Sequence, residues 1–491
     1  MISDSLVAQI DCVMHQAEKA GKAYKKMPAT KRADFLENIA TLLSDAETGL
    51  IALAAEETHL EGPRLKIELI RTINQLKQFA GCVREGSWVE ASIDTAQPDR
   101  MPLAKPDIRK MLIPLGPVIV FGASNFPFAY STAGGDTASA LTVGCPVVVK
   151  AHPGHPKTSK AVAELIEKAA QNTQMPEHVF QHVEDSSLLT GQTLVLHKYT
   201  AAVGFTGSVT GGRALFDLAA SRSNPIPVFA EMGSANPVCI LPDALRQNAA
   251  GLAKQYAASI SNSMGQFCTK PGLQLVPESG DLPMYIRLLA SALEQIKPQE
   301  MLHPGIATGF YKRLEESLAQ KGVTQETHNS KVGQSNSGVP TLATVSASDF
   351  IQNRVLHTEV FGPYSLLIKC RDQADMLHVA KTLEGQLTAT IIGTRKDLIE
   401  NQELIDILTE KAGRIILNGV PTGVEVCPSM VHGGPYPATS DARFTAVGSS
   451  AMKRFARPVC FQNFPTDLLP DELKDNNPLS IMRVWNGSWR R

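Results

Sequence analysis

The sequence predicts an α/β protein: a doubly wound parallel-sheet domain, a second α/β domain and a short β arm. Three observations carry that prediction. Apolar residues recur at three- and four-residue steps over the first 85 positions, a polar extended stretch follows, and from Val118 short β-branched runs alternate with helical segments.

Residues 4 to about 85 read as helices, with the period clear in RADFLENIATLLSDAETGLIALAAEE and GPRLKIELIRTINQLKQFAGCVREG. Residues 86–115 turn polar and end in DIRKMLIPLGP, the pattern of a hairpin or arm outside the main core. The runs VIVFG (118–122), PVVVK (146–150), VFQHV (179–183), AAVGF (201–205) and IPVFAE (226–231) are apolar on both faces. Strands of that kind, separated by helices, belong to a parallel sheet covered on both sides, which binds nucleotides at its carboxyl edge.

A second unit follows. DALRQNAAGLAKQYAASISNS reads as a helix with Asp243 as its N-cap, and GLQLV, TATIIGT and GRIILNG read as strands. Residues 298–350 look polar and irregular, and VHGGPYPATS reads as a loop. Two packed α/β domains leave a cleft between them.

Composition narrows the function classes. A chain of 491 residues exceeds one core, so roughly two to four domains are expected. With 47 basic and 48 acidic residues there is no net field to draw nucleic acid or an anionic membrane, so a small molecule or another subunit is the expected partner. The cysteines form no C-x-x-C pair and no metal-ligand spacing, which suggests a reducing compartment and no metal. The N-terminus is acidic and amphipathic, unlike a secretory signal, and the apolar runs fall short of the ~20 residues of a spanning helix. A cytoplasmic protein is expected.

Four short stretches carry chemistry. SMGQFCTKPG contains Cys268, either a small buried hydrophobe or a nucleophile. VGFTGSVTGGRALFDLAA sets Gly207 and Gly212 at a strand-to-helix junction, where backbone N–H groups bind anions; it is neither a Walker loop nor G-x-G-x-x-G, and a plain turn explains it as well. FGASNFPFAYSTAGG ends a strand with Asn125, a turn residue or an amide aimed at a developing oxyanion. FAEMGSANP puts Glu231 at a strand's carboxyl end, a solvated cap or a ligand-facing group.

Taken in order, Asn-Phe-Pro at 125, Phe-Thr-Gly-Ser at 205, Glu-Met-Gly-Ser-Ala-Asn-Pro at 231, Gly-Gln-x-Cys at 265 and Glu-Val-Phe-Gly-Pro at 359 resemble the aldehyde dehydrogenase superfamily over nearly the whole chain. The resemblance implies that fold, with Cys268 as nucleophile, Glu231 as general base and Asn125 as oxyanion donor. It also implies NADP or NAD as cofactor, with Lys150 at the ribose, Gly207 and Ser208 at the pyrophosphate beside Gly212, and Glu359 and Phe361 at the nicotinamide ribose and ring. A carboxylate near a thiol raises the thiol's pKa, so Glu231 is expected to be mobile or protonated while Cys268 attacks.

Two departures from the family pattern matter. Pro153 stands where many NAD-preferring members have a glutamate, so the charge that repels a 2′-phosphate is missing and NADP is tolerated. MVHGGPYPAT replaces the usual aromatic-Gly-Gly-x-Lys loop and puts His432 on the substrate side of Cys268, as a loop histidine bonded to backbone or as a group that tunes the thiol or relays a proton. These segments resemble a subgroup of bacterial α-ketoglutarate semialdehyde (2,5-dioxopentanoate) dehydrogenases and an NADP-dependent fatty aldehyde dehydrogenase. The C-terminal tail favours the semialdehyde; that substrate needs a fixed cation, for which Arg222, Arg354 and Arg443 are candidates.

Other classes are weighed on the same residues. A non-catalytic binding protein of this fold is expected to lose Cys268 or Glu231, and both are present. A CoA-acylating relative typically lacks the glutamate, and a cysteine hydrolase needs a histidine paired with Cys268 and no cofactor loop. The expected domains are 1–96 with 116–230 for the cofactor, 231–440 for catalysis, and 97–115 with 441–491 as oligomerisation arm and tail. An arm of that kind suggests a homodimer or homotetramer.

Overall fold

The structure is a computed structural model, describing residues 4–328 and 336–491. Helices α1 (Asp4–Tyr24), α2 (Ala29–Asp45), α3 (Glu47–Thr58) and α4 (Gly62–Glu85) form an N-terminal layer. Pro63 presets the first turn of α4 and Gly86, with φ of 86°, ends it in the left-handed conformation. Leu65, Leu69, Ile73, Leu76, Phe79 and Val83 bury one stripe of α4. Arg64, Glu68 and Arg71 recur at the same helical spacing on another face, which meets residues 125–130.

Strands β1 (Ser92–Asp94) and β2 (Ile108–Pro114) come next, then the alternation that the sequence predicts. It runs β3 (Val118–Phe121), α5 (Gly135–Val143), β4 (Val147–Lys150), α6 (Pro156–Asn172), β5 (Phe180–Val183), α7 (Leu188–Leu196), β6 (Ala202–Thr206), α8 (Val209–Ala220) and β7 (Val228–Glu231). These five strands pair in parallel in the order β5-β4-β3-β6-β7. The order reverses between β3 and β6, so the loops leaving their carboxyl ends part and open a crevice.

The second unit contains β8 (Val238–Ile240), α9 (Pro242–Ser261), β9 (Leu273–Pro277), α10 (Leu282–Glu294), β10 (Gln299–Glu300), α11 (Pro304–Leu318), β11 (Thr324–Gln325), β12 (Ser337–Gly338), β13 (Thr341–Ser346), β14 (Tyr364–Cys370), β15 (Gln386–Ile392) and β16 (Ala412–Leu417). Its sheet, β11-β13-β14-β9-β8-β15-β16, is parallel except for β11.

Two local expectations are corrected. Residues 298–350 are not irregular throughout: they include α11 and the fully paired strand β13, although 329–335 lie outside the described residues. Polar residues on the exposed side of α11 mask a buried face of Ala307, Phe310 and Leu314. Asp243 does not cap α9; Leu241 holds the cap position, and Asp397 accepts from the N–H groups of Asp243 and Ala244. The helix takes its capping carboxylate from another element, which no local pattern reveals.

Strands β17 (Ala456–Gln462), β18 (Arg483–Trp485) and β19 (Ser488–Arg490) join the early pair in a separate sheet, β17-β2-β1-β18-β19. The arm sheet therefore begins at Ser92 rather than at 97, and Ala451, Met452 and Phe455 belong to the core of the first unit rather than to the arm. Among the described residues no helix is long and apolar enough to cross a membrane.

Candidate active site

The segment carrying Cys268 is held by its backbone. Ser263, Met264 and Gly265 lie in succession at φ of 49°, 52° and 62°. A Cβ at Gly265 would stand 2.3 Å from the carbonyl oxygen of Gly362, so the cysteine loop packs directly on the Glu359–Pro363 loop. Asn236 Nδ2 donates to the carbonyls of Cys268 (2.9 Å) and Lys270 (3.0 Å). Gln386 Oε1 accepts from the N–H groups of Ala235 and Asn236 and from Ser234 Oγ, each at 2.9 Å. A buried hub of this kind fixes the thiol's position to within the slack of its hydrogen bonds.

Glu231 ends β7, and the segment after His432 pairs with it. Met232 N donates to Ala438 O and Ser440 N to Ala230 O, which brings the Val431–Ser440 loop alongside the strand. His432 Nε2 then lies 2.8 Å from Glu231 Oε1 and 3.6 Å from Cys268 Sγ. One imidazole nitrogen thus serves both groups, and Glu231 Oε2 and His432 Nδ1 are buried without a partner among the described residues. Burial and then the Glu231 charge push the Cys268 thiol well above its ordinary range, while Arg71 and Arg414 pull it back. Sequence reasoning expected a mobile or protonated Glu231; the structure adds an imidazole next to both the carboxylate and the thiol.

Asn125 sits in the loop after β3, with Nδ2 donating to Gln266 O at 3.1 Å and its own carbonyl accepting from Arg64 at 2.7 Å. Phe126, Tyr130 and Val447 form an apolar cluster against which Phe267, Cys268, Val424 and Met430 pack.

The cleft between the two sheets has a volume of about 830 Å³ and is lined by Ser208, Val209, Thr210, Gly233, Glu359 and Phe361, among others. Ser208 is the N-cap of α8, accepting from Gly211 N at 3.1 Å, so the helix's first N–H groups open onto the cleft. A Cβ on Gly233 would reach 2.7 Å from Glu359 Oε2, so the floor there is backbone alone. Helix N–H groups at one end and the half-buried carboxylate of Glu359 at the other fit the phosphates and ribose hydroxyls of a dinucleotide. Burial raises the Glu359 carboxyl, with Lys270 opposing. Lys150, Pro153, Gly207 and Gly212 are not in the lining: Lys150 ends β4, Pro153 follows it exposed, Gly207 follows β6 and Gly212 lies in the first turn of α8.

None of the arginines proposed for a substrate carboxylate flanks the thiol. Arg222 donates to the carbonyls of Val195, His197 and Thr200, Arg443 pairs with Asp441 at the surface, and Arg354 lines the dinucleotide-sized cleft. The arginines around the apolar cluster are Arg64, Arg71 and Arg414, which sequence reasoning missed. Their available signal was the polar stripe on α4, where two arginines seven residues apart share a face of an otherwise apolar-packed helix.

The sequence profile described as "Aldehyde dehydrogenase family" matches residues 2–435. An alpha-ketoglutaric semialdehyde dehydrogenase of Acinetobacter baylyi is 44% identical over 488 residues, covering 99% of this chain and 92% of that protein. Alpha-ketoglutaric semialdehyde dehydrogenase 2 of Azospirillum brasilense is 45% identical over 481 residues, covering 98% and 91%. Among solved structures, a 3,6-anhydro-L-galactose dehydrogenase superposes with a TM-score of 0.79 at 22% identity, covering 93% of this chain and 92% of that one. The glyceraldehyde-3-phosphate dehydrogenase of Methanocaldococcus jannaschii, complexed with NADP, superposes at 0.77 with 20% identity, covering 93% and 94%.

Proposed function

Because the chain belongs to the aldehyde dehydrogenase family, we propose that it oxidises α-ketoglutaric semialdehyde to 2-oxoglutarate with NADP or NAD as acceptor. The observation that carries this reading is the meeting of Cys268 Sγ, His432 Nε2 and Glu231 Oε1 within 4.8 Å of one another beside a dinucleotide-sized cleft.

In this reading His432 Nε2 passes the hydrogen it shares with Glu231 Oε1, 2.8 Å away, to that carboxylate and takes the thiol proton, at 3.6 Å, in its place, so that the imidazole stays neutral and the proton leaves Glu231 for solvent before the second step. Sγ adds to the aldehyde carbon. The oxyanion formed there is met by the Asn125 amide, whose second hydrogen is not used by Gln266, and by the Cys268 N–H. Ser208, Gly233, Glu359 and Phe361 would hold the dinucleotide, which supplies the hydride acceptor when bound. What remains on Cys268 is a thioester. Glu231, with Oε2 unpartnered, takes a proton from water as it attacks the thioester carbon, and the thiolate leaves as the acid forms.

The arm sheet ends in β17 on one side and β19 on the other, each paired on a single edge within the chain, and Trp489 is 70% exposed. Edges of that kind pair with a second copy, giving a homodimer or homotetramer. Light scattering after gel filtration tests this; a monomer at micromolar concentration would overturn it. The test of the activity is reduced-nicotinamide absorbance over a panel of aldehydes with NADP and NAD, with and without CoA. Turnover of 2,5-dioxopentanoate to free acid, unaffected by CoA, is expected. A tenfold preference for a long-chain fatty aldehyde, or a requirement for CoA, would replace this reading.

A further inference from the structure

Three guanidinium groups ring the apolar cluster that contains the thiol. Arg64 lies over the rings of Phe126 and Phe267, 4.9 and 5.0 Å from their centroids. Arg71 lies 5.1 Å from the centroid of Tyr130, whose ring centroid is 6.0 Å from that of His432. Arg414 rises from the start of β16 and reaches Met430 Sδ at 3.9 Å. All three keep a buried Nε with no acceptor among the described residues.

They differ in how far they are committed. Arg64 is spent on Asn125 O and on Glu68, 3.4 Å away. Arg414 donates to the carbonyls of Pro421 and Gly423. Arg71 donates through Nη2 to the Tyr130 hydroxyl at 2.8 Å, a neutral group, which leaves most of its fork free. Partly buried cations bonded to neutral groups are costly unless an anion joins them. Packing α4 onto residues 125–130 needs neither the charge nor the free donors, since Glu68 already accepts from Phe128 N and Ala129 N.

We propose that Arg71, supported by the fields of Arg64 and Arg414, binds the carboxylate at the far end of the aldehyde substrate and sets the preference for an acidic over a neutral aldehyde. This rests on the reading of Cys268 as nucleophile and deepens the substrate class given above. A guanidinium fork matches a carboxylate in plane and in spacing, and the aromatic walls exclude the water that would otherwise screen the pair. The carboxylate brings Arg71 a hydrogen-bonded countercharge, which Glu68, held 3.4 Å from Arg64, does not supply.

The test compares 2,5-dioxopentanoate with pentanal, a neutral aldehyde of the same chain length, in wild type, Arg71→Gln and Arg71→Lys. The expected result is a KM for the acid raised about 10- to 100-fold in Arg71→Gln, the range of a charge-assisted hydrogen bond. Because Arg71 also holds the Cys268 thiol down, kcat is expected to fall alike for both aldehydes; the KM for pentanal should change by less than about threefold, residual pentanal turnover shows that the variant folds, and Arg71→Lys should recover part of the loss on the acid. Equal rises in KM for both aldehydes, or a rise for neither, overturn the subsite. If Arg71→Gln does not fold, protection of wild-type Cys268 against iodoacetamide decides: 2-oxoglutarate should protect where its neutral diester does not, and equal protection overturns the subsite. A wild type that prefers pentanal would sink the substrate reading instead. A wild type that prefers the acid while Arg71→Gln keeps that preference would sink only the subsite.

Discussion

The two large sheets meet the cleft with opposite ends. The five-stranded sheet offers carboxyl ends: Asn125 after β3, Lys150 ending β4, Ser208 after β6 and Glu231 ending β7. The seven-stranded sheet offers amino ends: Asn236 before β8, Cys268 before β9, Glu359 before β14, Gln386 opening β15 and Arg414 near the start of β16. The rule that ligands bind at carboxyl edges describes the first sheet because helices start there and turn their N–H groups to the ligand. Amino edges have no such donors. There the loops are fixed by buried side chains instead, with Asn236 on the Cys268 carbonyl, Gln386 on two N–H groups and Lys270 Nζ on the carbonyls of Val360 (3.1 Å) and Tyr364 (2.7 Å). One edge turns helix N–H groups to the cleft; the other holds Cys268 rigid through buried side chains.

If the two edges act separately, changes at Cys268 on the amino edge should cost chemistry and leave cofactor binding intact. The largest effect is expected for Cys268→Ala: turnover falls by more than about 10⁴-fold while the NADP dissociation constant, read by fluorescence titration, moves less than about threefold. A parallel loss of binding would show that the two edges are not separable.

Glu231→Gln should lower steady-state turnover by about 10²- to 10⁴-fold yet still give a burst of reduced cofactor close to one per site in stopped flow. Absence of the burst would move Glu231 to a step at or before hydride loss and tie the carboxyl edge to nucleophile activation.

A smaller, selective effect is expected on the carboxyl edge. Pro153→Glu should reduce kcat/KM for NADP relative to NAD by about ten- to a hundredfold through repulsion of the 2′-phosphate. Asp185, whose charge acts on Lys150 from the loop after β5, should favour NAD in wild type in the same sense, so Asp185→Ser should shift the ratio toward NADP. If neither substitution moves the ratio, the ribose does not lie at the ends of β4 and β5.

The smallest effect concerns the thiol itself. Since burial and Glu231 push it up from its ordinary value of 9.0, the thiolate forms only as pH climbs past that range. Iodoacetamide labelling of the cofactor-free protein should therefore still be rising beyond pH 9, and Glu231→Gln, which removes the larger of the two carboxylate charges that raise it, should label about threefold faster at pH 8. A plateau near neutrality would mean that His432 already holds the thiol proton.

What the sequence determined by itself was local. VIVF, VVVK, AVGFT and VFAE became strands because short β-branched runs apolar on both faces have no stable place except a covered parallel sheet, and the turn at Gly207 and Ser208 followed from a strand feeding a helix. Cys268 and Glu231 were legible through ordered motifs separated by 37 positions. What only the tertiary structure decided was which side chains share a volume. His432 meets Glu231, 201 positions earlier in the chain, because residues 438–440 pair with β7, and Asp397 caps a helix whose own Asp243 does not. Arg64 and Arg71 face Arg414 across the apolar cluster of Phe126, Tyr130, Phe267 and Met430, although some 340 residues separate them. Hydrophobic periodicity records which face of an element is buried; it carries no record of which polar groups arrive opposite one another once two domains close on a cleft.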